Sequence, residues 1–213
     1  MKNKINKIEE ITNNCSNLFI DFDGVIVDSN LIKEKLISQS INFIEKGNKI
    51  NNSAIHYFNK NAGLDRKKKL SKFYEKKIVE KITENYSKNF RKIIPELQPS
   101  KCLVEFLDYF KNQWPNIKIY ILSGGEKNEI KEFLKINKIF FYFDDILSSE
   151  KNKFEHLEFL KAKSNDIFIG DSNKDLEAAN YYNLNFILME GYKSLESFPK
   201  ELSLEKCISL RVL

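Results

Sequence analysis

Residues 17–29, Asn17-Leu18-Phe19-Ile20-Asp21-Phe22-Asp23-Gly24-Val25-Ile26-Val27-Asp28-Ser29, decide how the rest of the chain is read. Leu18, Phe19 and Ile20 form a short apolar run that stops at acids and a turn-forming glycine, the pattern of a buried strand. At the period of two of an extended chain, Asp21 and Asp23 project to one side, where two carboxylates repel unless a cation or a shared proton intervenes. An oxygen-loving divalent metal resolves that conflict. A calcium loop of the EF-hand type is excluded, because Gly24 comes too early and Val25, Ile26 and Val27 supply no ligand atoms. Taken alone, the run is equally an acidic turn after a strand.

Downstream the pattern changes. From Asn30 to about Pro95 the apolar residues Leu36, Ile37, Ile41, Ile44, Leu70, Phe73, Tyr74 and Ile78 recur at helical spacing, with no strand alternation. Breaks at 48–53 and 59–65 and the prolines Pro95 and Pro99 divide it into three or four helices. Beyond Pro99 helices alternate with strands: a helix at Leu103–Phe110, a strand at Ile117–Leu122, a helix at Glu126–Ile136 and a strand at Asp145–Leu147. A helix from Phe154, a strand at Asp166–Ile169, a helix from Lys174 and a strand at Asn185–Met189 follow, while Leu202–Leu213 reads equally as helix or strand. The alternation predicts an α/β fold with a mostly parallel sheet covered on both faces. Residues 1–28 and 96–213 are expected to form the core, and 29–95 a small helical domain inserted after the first strand.

The composition narrows the function. A hydrophobic fraction of 42% supports a packed core. The net charge of +5 comes from 35 basic and 30 acidic residues mixed along the chain, too even a balance for a nucleic-acid partner. No apolar run approaches a membrane span, and the opening MKNKINKIEE lacks a signal peptide's apolar stretch, so a cytoplasmic protein without a membrane partner is expected. Cys15, Cys102 and Cys207 have no metal-ligand spacing and are expected to be reduced and buried.

Three further strand ends carry polar residues, on the side where open parallel sheets bind ligands. Ser123 follows Ile117–Leu122 and precedes Gly124 and Gly125, a hydroxyl beside glycine amides at a helix start that suits a phosphoryl oxygen, although the same residues make an ordinary turn and cap. In Gly170-Asp171-Ser172-Asn173-Lys174-Asp175, Asp171 and Asp175 lie one helical turn apart on one face, and an ordinary capping role for Ser172 leaves two acids to explain. Lys151 and Lys153 precede the helix from Phe154, and phosphoryl chemistry needs a fixed positive charge there, though lysines are common in this chain.

In this order, the motifs DFDGVIVDS, ILSGG, the lysine before a helix and GDSNKD resemble the haloacid dehalogenase-like (HAD) superfamily, over Leu18 to Met189. The resemblance is to its phosphoglycolate phosphatase and beta-phosphoglucomutase group, and implies a Rossmann-like core with a helical cap of the C1 type. It also implies roles. Asp21 is the nucleophile, Asp23 the general acid and base, Ser123 and Gly124 hold the phosphoryl group, and a lysine steadies both. Mg2+ is held by Asp21, Asp171 and the backbone carbonyl of Asp23, with Asp175 orienting the lysine or a metal-bound water. Relatives often have proline after the lysine, and neither Lys151 nor Lys153 does; Lys153 is preferred because K-F-E-H-L resembles the start of that helix in relatives without it. The namesake dehalogenases and phosphonate-cleaving relatives lack the second acid, so Asp23 implies phosphate esters. The expected activity is a Mg2+-dependent phosphatase acting through an aspartyl-phosphate on a small phosphorylated substrate. A phosphosugar mutase with the same intermediate is the closest alternative, and a non-catalytic binding module another, although all four motif positions are filled.

The segment HYFNKNAGLDRKKKLSKFYE, residues 56–75, resembles capped hydrolases of surface-polysaccharide gene clusters, implying a sugar phosphate or phosphorylated sugar substituent. Gly63 ends one helical pattern and Asp65 caps the next, which puts Arg66, Lys67, Lys68 and Lys69 at an amino terminus, the wrong end for cations. A bound anion would compensate. Arg66, with its planar fork, is expected to read the distal part of the substrate, with Lys69 assisting. His56 is a weaker candidate, expected as a packed core histidine, and the oligomeric state is left open.

Overall fold

The computed structural model describes residues 10–12, 14–45, 51–61, 64–190 and 207–211. Six strands, β1 (Asn17–Ile20), β2 (Lys118–Leu122), β3 (Asp145–Leu147), β4 (Ile167–Gly170), β5 (Asn185–Glu190) and β6 (Cys207–Arg211), form one parallel sheet in the order β3-β2-β1-β4-β5-β6. The helices α1 (Asn30–Glu45), α2 (Asn52–Lys60), α3 (Arg66–Leu70) and α4 (Lys76–Ile93) are inserted after β1. Thereafter α5 (Lys101–Gln113), α6 (Lys127–Ile136), α7 (Lys153–Phe159) and α8 (Asn173–Tyr181) alternate with strands. The strand order reverses between β1 and β4, and at such a switch point the loops leaving the carboxyl ends part to make a crevice.

Alternation assigns side chains to the two faces. Leu18, Ile20, Ile119, Ile121, Ile167 and Ile169 belong to one apolar cluster with Phe106 and Leu107 of α5 and Phe133 of α6. Phe19, Phe168 and Phe186 belong to another with Leu157 of α7 and Leu176 of α8. Leu18, Phe19 and Ile20 are all fully buried, which is why β1 reads as an unbroken apolar run; each such side chain contributes about 1.5 to 3 kcal/mol. The register between β1 and β4 is tied at its amino end by Asp166. This buried carboxylate accepts from the backbone N–H of Ser16 at 3.0 Å and of Asn17 at 2.9 Å, from Asn17 Nδ2 at 3.0 Å, and from the N–H of Lys163 at 2.9 Å. Asp166 therefore precedes β4 instead of opening it.

The insertion leaves and rejoins the core through paired segments, with a bridge between Val27 and Pro99 and a hydrogen bond from Ser100 N to Ile26 O of 2.8 Å. Its apolar residues, among them Leu36, Ile37, Ile82 and Phe90, form one continuous cluster with a face of the sheet.

Several expectations are corrected. β1 ends at Ile20, short of Asp23, because Gly24 takes φ of +83° and donates to Val27 O at 2.8 Å, bending the chain into a tight turn. Cys15 and Cys102 form no disulfide among the described residues and are only half-buried, and the side chain of Cys207 lies outside the described residues. His56 is exposed, not packed in the core. The ambiguous segment contributes a strand at 207–211, and its other residues, like Gly63, lie outside the described residues. Among the described residues no helix is long and apolar enough to cross a membrane.

Candidate active site

The backbone beyond the carboxyl ends of β1 and β4 delivers the acids. Asp21 N donates to Ile169 O at 2.9 Å, holding Asp21 beside the segment that leads to Asp171. The Gly24 turn closes against the same acid: a Cβ on Gly24 would stand 1.9 Å from Asp171 Oδ2. At Gly170 a Cβ would stand 2.3 Å from Asp175 Cβ, so glycine there lets α8 come close enough to aim Asp175 inward. Ser172 caps α8 in a capping box with Asp175, the ordinary role read for it in the sequence, and the box fixes Asp175.

Lys153 is the lysine in the site. Its Nζ lies 2.9 Å from Asp21 Oδ1 and closer still to Asp175 Oδ1. Burial works against its charge, but the Asp175 and Asp21 carboxylates outweigh burial and hold the ammonium above its ordinary range. Lys151 is exposed, over the Phe159 ring. Asp175 has both oxygens engaged: Oδ1 by Lys153, and Oδ2 by Ser172 N at 3.0 Å, Ser172 Oγ at 2.6 Å and Asp171 N at 3.3 Å. Its place is to orient Lys153.

Asp21, Asp171 and Asp175 each bring a carboxylate oxygen within 4.8 Å of the others. Burial pushes the Asp21 carboxyl well up, Lys153 opposes this, and Asp175, Asp171 and Asp23 add to the rise. A buried cluster with more acids than cations fits a hard divalent ion, whose charge favours the ionised carboxylates. With Asp175 committed to Lys153, the side chains that fit the ion are Asp21 and Asp171. The Asp23 side chain turns elsewhere. It accepts from Ser29 Oγ and pairs with Lys33 of α1, and although burial pushes its carboxyl up, Lys33 and Ser29 outweigh burial and hold it below the usual carboxylate range.

Ser123 is buried at the end of β2 and accepts from Gly125 N at 3.0 Å through Oγ. Gly124 and Gly125 line a cavity of about 320 Å3 together with Asp21, Asp23 and Asp171. The opposite wall comes from the insertion: Phe58, Leu64, Arg66, Lys69 and Tyr86. Asp65 does cap α3, accepting from Lys68 N at 2.8 Å.

Arg66 departs from expectation. Its Nη2 lies 2.9 Å from Glu129 Oε2, and its Nη1 3.3 Å from Glu129 Oε1 and 2.9 Å from Ser87 Oγ, while its guanidinium carbon stacks 3.8 Å from the Tyr86 ring centroid. Glu129 of α6 thus supplies a compensating anion, while Arg66 also lines the cavity. The fork is held against the core by Glu129 and Ser87. The residues missed in the sequence are Glu129, Lys33 and Ser29. Glu129 lies 63 positions from its partner, beyond any local signal, whereas Ser29 and Lys33, four apart across the start of α1 and close in sequence to Asp23, offered a local signal that went unread.

A parallel sheet with buried acids and a lysine at its switch point puts a candidate active site where α/β proteins bind ligands. The model of the haloacid dehalogenase-like hydrolase family matches residues 18–189, and the chain belongs to that family. No curated protein matches it. Among solved structures, a predicted phosphatase from Clostridium acetobutylicum superposes with a TM-score of 0.65 at 22% identity, over 86% of this chain and 89% of its own. The beta-phosphoglucomutase of Clostridium difficile superposes with a TM-score of 0.66 at 20% identity, over 92% and 90%. A predicted phosphoglycolate phosphatase from Haemophilus somnus gives 0.65 at 14% identity, over 84% and 87%. At these identities the likeness is one of fold.

Proposed function

We propose that this protein is a Mg2+-dependent phosphatase that hydrolyses a small phosphorylated metabolite through a phosphoryl group carried on Asp21. The observation that carries this reading is the convergence of Asp21, Lys153, Asp171 and Asp175 from three parts of the chain at one end of a cavity walled by the insertion, which acts as a cap. The cavity's size suits a metabolite, not a macromolecule. The likeness of residues 56–75 to capped hydrolases of surface-polysaccharide clusters supports a sugar phosphate or phosphorylated sugar substituent.

Mg2+, held by Asp21, Asp171 and the carbonyl oxygen of Asp23, would supply charge stabilisation to the transferring oxygens. The Asp21 carboxylate oxygen attacks phosphorus, and the bond from phosphorus to the substrate's ester oxygen breaks. Ser123, the Gly124 amide and Lys153 hold the phosphoryl oxygens. Asp23 gives its proton to the departing oxygen, then takes one from the water that attacks phosphorus and frees Asp21. Before substrate enters, Lys33 keeps Asp23 ionised. An entering phosphate dianion competes for Lys33 and raises the affinity of Asp23 for a proton, which it takes from solvent and then gives to the departing oxygen.

Phosphate release from a panel of phosphorylated metabolites and from p-nitrophenyl phosphate tests the reading. Activity is expected to vanish in EDTA and return with Mg2+, because the fitting ligands are hard oxygens. Undiminished hydrolysis in EDTA would reject the metal, and substrate loss without free phosphate would point to a mutase.

A further inference from the structure

The cavity has a second polar end, on the insertion. Lys69 of α3 is 6% exposed, and its Nζ stands 3.5 Å from the centroid of the Phe58 ring and 3.4 Å from Phe58 O. The cations around it have counter-charges: Arg66 is paired with Glu129, and Lys33 with Asp23. Lys69 has no ion pair among the described residues. Burial, then Lys33, Arg66 and Lys174, push its ammonium down to about 7, with Asp23 opposing. Near it on the same wall, Asn59 of α2 keeps a buried Oδ1 with no hydrogen-bond partner among the described residues. A buried acceptor without a donor and a buried cation without an anion each cost free energy, and one ligand can satisfy both.

We propose that Lys69 and Asn59 form a distal subsite, in which the Lys69 ammonium takes a second anionic group of the substrate, a carboxylate or phosphate, and Asn59 takes a hydroxyl of the chain between. Phe58, Leu64 and Tyr86 are the apolar walls. The inference rests on the phosphatase reading, since the acidic end must receive the first phosphate. It gives the lead to Lys69 over Arg66, three of whose five N–H groups are engaged by Glu129 and Ser87 and whose charge is already matched.

The test compares 3-phosphoglycerate with glycerol 3-phosphate, which differ in having a carboxylate or a hydroxymethyl group at the far end, and with propane-1,3-diol bisphosphate. For the wild-type protein with Mg2+, kcat/KM for 3-phosphoglycerate or for the bisphosphate is expected to exceed that for glycerol 3-phosphate at least tenfold, and whichever is preferred identifies the distal group. Lys69→Met should collapse the ratio towards one, while Lys69→Arg, which keeps the charge, should retain a preference. Asn59→Ala should lower 3-phosphoglycerate relative to the bisphosphate, which has no hydroxyl. A wild-type ratio near one for both acidic probes, or a ratio that Lys69→Met leaves in place, would overturn the proposal. If no probe, p-nitrophenyl phosphate included, is hydrolysed, the phosphatase reading fails. Calorimetric binding of 3-phosphoglycerate and glycerol 3-phosphate to the wild-type and Lys69→Met proteins then decides the subsite by the same ratio.

Discussion

Asp21→Asn is expected to lower phosphate release by roughly a thousandfold or more while leaving the fold intact, because the amide matches the carboxylate in shape but cannot attack phosphorus. The surroundings make this a clean comparison. Asp21 is buried against Lys153, and the loss of one negative charge is tolerated where Asp171 and Asp175 remain close by. Steady-state assays with p-nitrophenyl phosphate, together with a melting curve, measure both parts. Activity within tenfold of wild type would remove Asp21 from the chemistry, and a collapse of the melting transition would make the variant uninformative about the nucleophile but would contradict the expected tolerance.

Arg66→Met is expected to act on stability first. The Arg66 and Glu129 side chains are 7% and 3% exposed, and removing one partner leaves the other charge buried without compensation, a loss of about 3 to 5 kcal/mol. For a chain of this size that lowers the melting temperature on the order of 10 °C. Because Arg66 lies in the insertion and Glu129 in α6 of the core, the same loss loosens the wall of the cavity. The double variant Arg66→Met with Glu129→Leu should recover most of the stability, since it removes both charges and keeps the volume. A drop below about 1 kcal/mol in the single variant, read by urea titration, would mean that the pair contributes no more than an exposed one.

How much of this was legible follows from the range of the interactions. The strands β1 to β5 were legible because each is a short apolar run between turn residues, and a strand buried on both faces has no polar alternation to blur it. The acids and Lys153 were legible as a series because strand ends in a parallel sheet gather on one side, so sequence order becomes spatial proximity. The partner of Arg66 was not legible, for the opposite reason. Its cationic run pointed correctly to a needed anion, but the partner is brought in by the packing of the insertion on α6, which no local pattern reports. Lys69 was read as an assistant to Arg66 because it follows one helical turn on, and only the distribution of counter-ions separates them. The half-burial of Cys15 and Cys102 likewise depends on the packing around them, not on residue type.

The proposed mechanism stands on a covalent phosphoryl group carried by Asp21. The most direct test uses the Asp23→Ala variant with 32P-labelled p-nitrophenyl phosphate and Mg2+. The phenolate leaves without needing a proton, so the first step survives, whereas the second step lacks its base. A burst of one p-nitrophenolate per protein molecule is predicted, with acid-stable label on the peptide containing Asp21. Phosphate release without a burst, or label on a different residue, would contradict the account.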